Sequence, residues 1–186
     1  GLGAVEQQVL EAASAAGAEP ADAAVAAALV MPVTEVEEAL VGLARRGQLV
    51  AEDGADAWPD GTRTARFAFI HALYRSFLYE RLPPARRREL HERIGLRLAA
   101  AFGDRTGAIA AALAQHFTAA GDVPRAIVHL RQAAERALSR HAYLEAIDHL
   151  ERALALLASE PEAETRTRAE LDLRMSLGPA LMAVPG

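Results

Sequence analysis

Six histidines, twenty arginines and scattered carboxylates and serines are the side chains of this chain that could do chemistry. Glu92 follows His91, but position 95 is a glycine, so the H-E-x-x-H arrangement that sets two imidazoles on one helical face around zinc is not formed. His129 and His149 recur because the segment around them recurs, and at that spacing they read as packing or rim residues between helices rather than metal ligands. Adjacent carboxylates such as Glu37 and Glu38 point apart on a helix, the wrong geometry for an acid and a base acting on one bond. Ser14, Ser76, Ser139, Ser159 and Ser176 have no Gly-x-Ser-x-Gly context. There is no lysine, so neither the lysine that reaches phosphates from a P-loop nor a Schiff-base nucleophile is available, and no cysteine offers a thiolate or a disulfide. The chain is therefore expected to carry no catalytic site, no metal and no cofactor of its own.

Two features remain. His71 stands where a predicted strand passes into a predicted helix. There it either packs beside Phe69 or caps the helix. Arg86, Arg87 and Arg88, with Arg81, Arg93 and Arg97, form the one basic cluster, which reads as a solvated helix face or as a contact for an acidic partner surface. Nucleic acid is disfavoured as that partner, because no aromatic residues interleave the arginines.

The elements that must position these residues follow from periodicity. Val5, Val9 and Ala13 mark a first helix stopped at Gly17. Pro20 opens a second that runs to about Val30, and Thr34 with Glu37 reads as a capping box opening a third, with Val36, Leu40 and Leu43 as its apolar face. Leu49, Val50 and Ala51 are a short strand candidate, 53–62 a polar loop, and 65–70 a second strand with Phe67 and Phe69 on one face, making a hairpin with a wide wing. This is the order of a winged helix. Beyond His71 only helix is expected. Leu73 with Phe77 and Tyr74 with Leu78 form i, i+4 pairs, and Leu90, Ile94, Leu98 and Phe102 line a longer helix. Ala126, Ile127, His129, Leu130 and Ala133 recur as Ala146, Ile147, His149, Leu150 and Ala153, an offset of 20 residues. That is the spacing of successive helices rather than of whole 34-residue tetratricopeptide units.

The fold expected is mainly α. A winged-helix-like domain with a small β-hairpin spans 1–82, a linking amphipathic helix 83–105, and the start of a degenerate tetratricopeptide-like solenoid 106–186. The apolar close at Leu177, Pro179, Leu181 and Met182 predicts that the array continues into further repeats. No apolar run approaches the roughly 20 residues of a spanning helix, and the first residues lack a signal-peptide pattern. A cytoplasmic protein with no membrane anchor is expected.

Charge refines the winged-helix reading. Positions 1–66 carry four arginines against eleven acids, net −7, while 67–105 are net +4 and 106–186 net −2. The third helix, which would enter a DNA groove, begins with Glu35, Glu37 and Glu38, and these repel phosphates. DNA binding by this segment is not expected.

Phe69, His71, Ala72, Leu73 and Arg75 with Leu78 to Leu82 and Arg88 to His91, then Gly121 and Asp122 through Glu145 to Leu150, and finally Leu177 to Met182, carry a resemblance. They resemble the region after the nucleotide-binding domain in large bacterial signalling ATPases of the STAND class, among them LuxR-type and maltose-activator-like transcription regulators and ATPase-linked nucleotide cyclases. The resemblance implies a winged helix docked on an upstream nucleotide-binding domain, ADP or ATP held by that parent protein, and helical repeats that sense a protein or small-molecule inducer. It also implies that His71 matches the histidine that touches the ADP phosphate at rest. Where the related Met-His-Asp motif would fall, this chain has Ile70, His71 and Ala72, so two of its three residues are replaced. The alternative is a stand-alone tetratricopeptide-type scaffold with no link to nucleotide.

Overall fold

The computed structural model describes residues 2–158 and 163–183; Ser159 lies outside them. The chain is mainly helical with one antiparallel hairpin and forms two compact units, Gly1–Gly103 and Asp104–Gly186.

The first unit contains α1 (Ala4–Ala16), α2 (Asp22–Leu29), α3 (Val33–Arg45), β1 (Val50–Ala57), β2 (Arg63–Phe69), α4 (Ala72–Arg81) and α5 (Pro84–Phe102). Its core joins Val9, Leu10, Val25, Val36, Leu40, Leu43, Phe67, Leu90 and Ile94, all fully buried. Each such aliphatic or aromatic side chain contributes about 1.5–3 kcal/mol. Helix α5, set apart by its sequence as a linker, is built into this core through Leu90 and Ile94.

Two expected helix starts move. Pro20 lies outside α2, whose N-cap is Ala21, and its carbonyl accepts the Phe67 amide at 3.0 Å. Helix α3 begins at Val33 after Pro32, so Thr34 already sits in the first turn and caps nothing. The polar tie is instead Asp22, the first residue of α2. The Thr64 hydroxyl donates to its carboxylate at 2.5 Å and accepts the Ala23 amide at 3.3 Å, all in the interior. Asp22 thereby anchors the hairpin to the start of α2. Gly47, with a φ of 63°, ends α3, and the amides of Gly47 and Gln48 close on the Ala44 and Leu43 carbonyls.

The hairpin also differs from the wide wing expected. Residues 53–57 belong to β1, paired residue by residue with β2 except for a bulge at Asp53, where Gly54 takes a φ of 105°. Acidic, glycine-containing sequence reads as loop, yet the ladder holds it. Along β2's other edge, Phe67 and Phe69 donate to the Pro20 and Ala18 carbonyls and Ala21 bridges Arg66, so the stretch between α1 and α2 behaves as a short third strand.

In the second unit a 3-10 turn, Gly103–Ile109, leads to α6 (Ala110–Ala120), α7 (Val123–Ser139), α8 (Tyr143–Ala158) and α9 (Ala163–Met182). The 20-residue repeat is structural, since Ala126, His129, Leu130 and Ala133 are buried, as are Ala146, His149, Leu150 and Ala153. Alanines let neighbouring helices approach closely. The turns repeat as well: Gly121 and His141 both take left-handed φ, 81° and 60°, and the next amide in each closes back on a carbonyl five residues earlier.

Val30 ends α2 with a φ of 57° while remaining 75% exposed. A β-branched residue is strained there and buries little in return. Val30→Gly is therefore expected to stabilise the first unit by about 1 kcal/mol, read as a higher denaturation midpoint at unchanged slope.

Candidate functional site

Helix α4 begins at His71, its N-cap, whose exposed ring meets Tyr74 edge-on with centroids 5.4 Å apart. No side chain caps this helix. His71 thus stands beside helix amides, a setting that favours an anion. Ile70, His71 and Tyr74 with Leu2, Gln48 and Leu49 line a cleft of about 510 Å³. Its floor passes Leu49, held at a φ of 67° while its carbonyl accepts the Ile70 amide at 2.9 Å.

No residue of α4 is fully buried, and the helix is turned against the expectation its i, i+4 pairs raise. Leu73 is 80% exposed and Phe77 58%, with Ile70 and Tyr74 also exposed. The inward side consists of Leu78 and Tyr79, packed on the core, with Leu82 just beyond the helix. The rest of the attachment is polar. Arg75 Nε donates to the Ser14 carbonyl at 3.1 Å, and the Tyr79 hydroxyl lies 3.0 Å from His91 Nε2. Arg87 stacks 4.8 Å from the centre of the Tyr79 ring, and donates to the Leu82 carbonyl at 3.0 Å and to that of Glu80.

The basic cluster is consequently divided. Arg86 pairs with Glu89 at 2.6 Å, Arg87 secures the end of α4, and Arg93 joins Glu89 at 2.6 Å and the Ala28 carbonyl at 3.0 Å. Arg81 lies over the Phe77 ring. Arg97 holds the tip of the hairpin: its guanidinium stacks 4.9 Å from the Trp58 ring centre and reaches Asp60 at 2.9 Å and Thr62 Oγ1 at 2.6 Å. Of the predicted trio, Arg88 alone is exposed with no hydrogen bond or ion pair among the described residues. The role of Arg97 escaped the sequence reading because Trp58 sits in what looks like loop.

The remaining polar candidates are absorbed locally. Ser14, Ser139 and Ser176 donate to carbonyls of their own helices. His129 stacks on Phe117 with centroids 5.4 Å apart and meets Gln132 at 2.9 Å. Among the described residues no group of three His, Asp or Glu side chains is placed to hold a metal, and no helix is long and apolar enough to cross a membrane. Comparison with protein-family models, with curated proteins and with solved structures finds no match to this chain.

His91 is the perturbed titratable group beneath α4. Burial lowers its pKa from 6.5 to about 4, and the nearby Arg75 and Arg87 charges lower it further in the same direction. The folded ring is neutral at pH 7, and its Nε2 is able to accept the Tyr79 hydroxyl proton. Because the folded value lies below the unfolded one, the stabilisation is complete above pH 6.5 and is lost as pH falls toward about 4. Thermal stability of the first unit should already decline between pH 6.5 and about 5, above the range where carboxylates titrate. His91→Gln should flatten that limb, and an equally steep decline in the variant would contradict the assignment.

Proposed function

We propose that this chain is a regulatory, protein-interaction segment of a larger bacterial signal-transducing ATPase or transcription regulator of the STAND class. Its first unit is a winged helix that docks on a nucleotide-binding domain. Its second is a degenerate tetratricopeptide-like array that senses a ligand or partner. The observation that carries the reading is the outward face of α4, where Leu73, Tyr74 and Phe77 continue an apolar ridge from Ile70, with His71 at its start.

These four residues expose on the order of 400 Å² together, the size of the largest patches on monomeric proteins, which are often functional. That is well short of the roughly 800 Å² per partner of a standard stable complex. It suits a contact between domains of one chain, where tethering supplies the effective concentration that area does not. His71 and the uncapped start of α4 at one end of the ridge suit a phosphate held by that domain. The third-strand pairing of 18–21 and the hairpin order support the winged-helix description.

A DNA reader is supported less well. Glu35, Glu37 and Glu38 are exposed on α3, and Arg97 ties down the hairpin tip that would have to reach a groove. We expect no measurable duplex binding by the isolated chain at low salt, and a tight, salt-sensitive complex would overturn this point.

In the intact protein, Phe77→Glu should raise basal output, and His71→Ala should both raise it and shorten ADP retention severalfold. In this chain both residues are exposed, so neither change should lower the melting temperature of the isolated chain appreciably. Unchanged retention in His71→Ala would make His71 a packing residue. Unchanged output in both variants would favour the stand-alone helical scaffold, which needs no nucleotide.

A further inference from the structure

The second unit contains a cleft of about 350 Å³ between the 3-10 turn, α6 and α7, with the start of α8 at its mouth. Ile109, Ala112 and Ala133 give it an apolar wall, and Arg136, Arg140 and Glu145 supply the charges. Arg136 Nη1 is held by the Gly107 carbonyl at 3.2 Å. Arg140 Nη2 donates to both oxygens of Glu145, at 3.1 and 3.2 Å, so the chain's own carboxylate occupies the guanidinium at the cleft mouth.

That carboxylate has a second place to go. One turn along α8, His149 is 7% exposed, and neither ring nitrogen has a hydrogen-bond partner among the described residues. Its Nε2 lies 3.7 Å from Glu145 Oε1, too far for a hydrogen bond but within a small side-chain rotation of one. A buried ring with both nitrogens unsatisfied is unfavourable, and His129, at the equivalent position of the preceding helix, has its partner in Gln132. His149 is an unfilled donor beside a carboxylate already engaged elsewhere.

We infer that this cleft binds a small organic acid, whose carboxylate replaces Glu145 on Arg140 while its short apolar tail lies against Ile109, Ala112 and Ala133. Glu145, displaced, accepts a hydrogen bond from the His149 Nε2–H. The exchange adds one negative charge to a cleft that holds Arg136 as well as Arg140: the ligand pairs with Arg140, and Glu145 moves onto the His149 N–H donor. The volume is at the lower end of small-molecule pockets and admits a short-chain acid with its tail inside. The inference deepens the sensing half of the proposed function and rests on that reading only for its biological meaning. The docking of α4 is tested on the other unit by other variants, so either can fail alone.

The test is titration calorimetry of the full chain with acetate, butyrate and hexanoate, and with acetyl-Ala-Ala-Leu to represent the carboxyl end of a peptide. Hexanoate should bind saturably, about tenfold more tightly than acetate, through its tail. Arg140→Gln should weaken it at least about tenfold, Glu145→Gln should tighten it by removing the competing carboxylate, and His149→Phe should weaken it to a smaller extent. On binding, the His149 ring resonances should shift while those of His129 stay in place. Arg140 and Glu145 are half exposed, so their variants remain folded. Tighter binding of the peptide than of hexanoate, absence of saturable binding by all probes through the millimolar range, or binding indifferent to Arg140→Gln would each overturn the inference.

Discussion

The attachment of α4 is the constraint on which the functional reading depends. A ten-residue helix carrying Leu73, Tyr74 and Phe77 along one face would ordinarily turn them inward, because burying each is favourable by about 1.5–3 kcal/mol. Here the inward positions are taken by Leu78 and Tyr79 and reinforced by three polar anchors: Arg75 to the Ser14 carbonyl, Tyr79 to His91, and Arg87 to the carbonyls that end the helix. Hydrogen bonds to charged groups are directional and cost several kcal/mol when left unmade in the interior, so they fix rotation where apolar packing alone would not. The outward ridge follows from these anchors. His71 follows too, since the rotation of α4 sets which way its N-cap faces.

A second clamp shapes the same unit. Arg97 stacks on Trp58 and bonds to Asp60 and Thr62, and Trp58 in turn lies 6.4 Å from Phe102, so the hairpin tip is fastened to α5. Together with the buried Asp22, Thr64 and Ala23 network, one pair along the ladder from the turn, this secures the turn end of the hairpin. This braced frame leaves the outer face of α4, with Leu73, Tyr74 and Phe77, exposed.

Much of this frame was legible from residue pattern. The cores of α3 and α5 follow apolar spacing directly, in α1 Val9 and Ala13 are buried while Val5 is exposed, and the recurrence of alanine, histidine and leucine from 126–133 to 146–153 marked the buried seam of the second unit. What misled was local chemistry overruled by tertiary contacts. Asp53, Gly54 and Asp56 are poor strand residues, but the ladder to β2 and the Arg97 clamp keep them extended. Thr34 and Glu37 carry a capping signature that Pro32 pre-empts by taking the N-cap two residues earlier. Leu73 and Phe77 show the periodicity of a buried face, and periodicity alone cannot report whether the surface that covers them lies within the same unit. The Arg140, Glu145 and His149 arrangement gave no warning in sequence, because its meaning lies in a 3.7 Å gap rather than in a motif.

The most direct test of the central claim is backbone hydrogen exchange over 72–81, compared between this chain alone and the intact protein with ADP bound. The account predicts faster exchange of α4 than of α5 in the isolated chain, and strong protection of α4 confined to the ADP-bound intact protein. Equal exchange of α4 in both forms would contradict it, since the ridge of Leu73 and Phe77 would then be uncovered in the setting where it is proposed to dock.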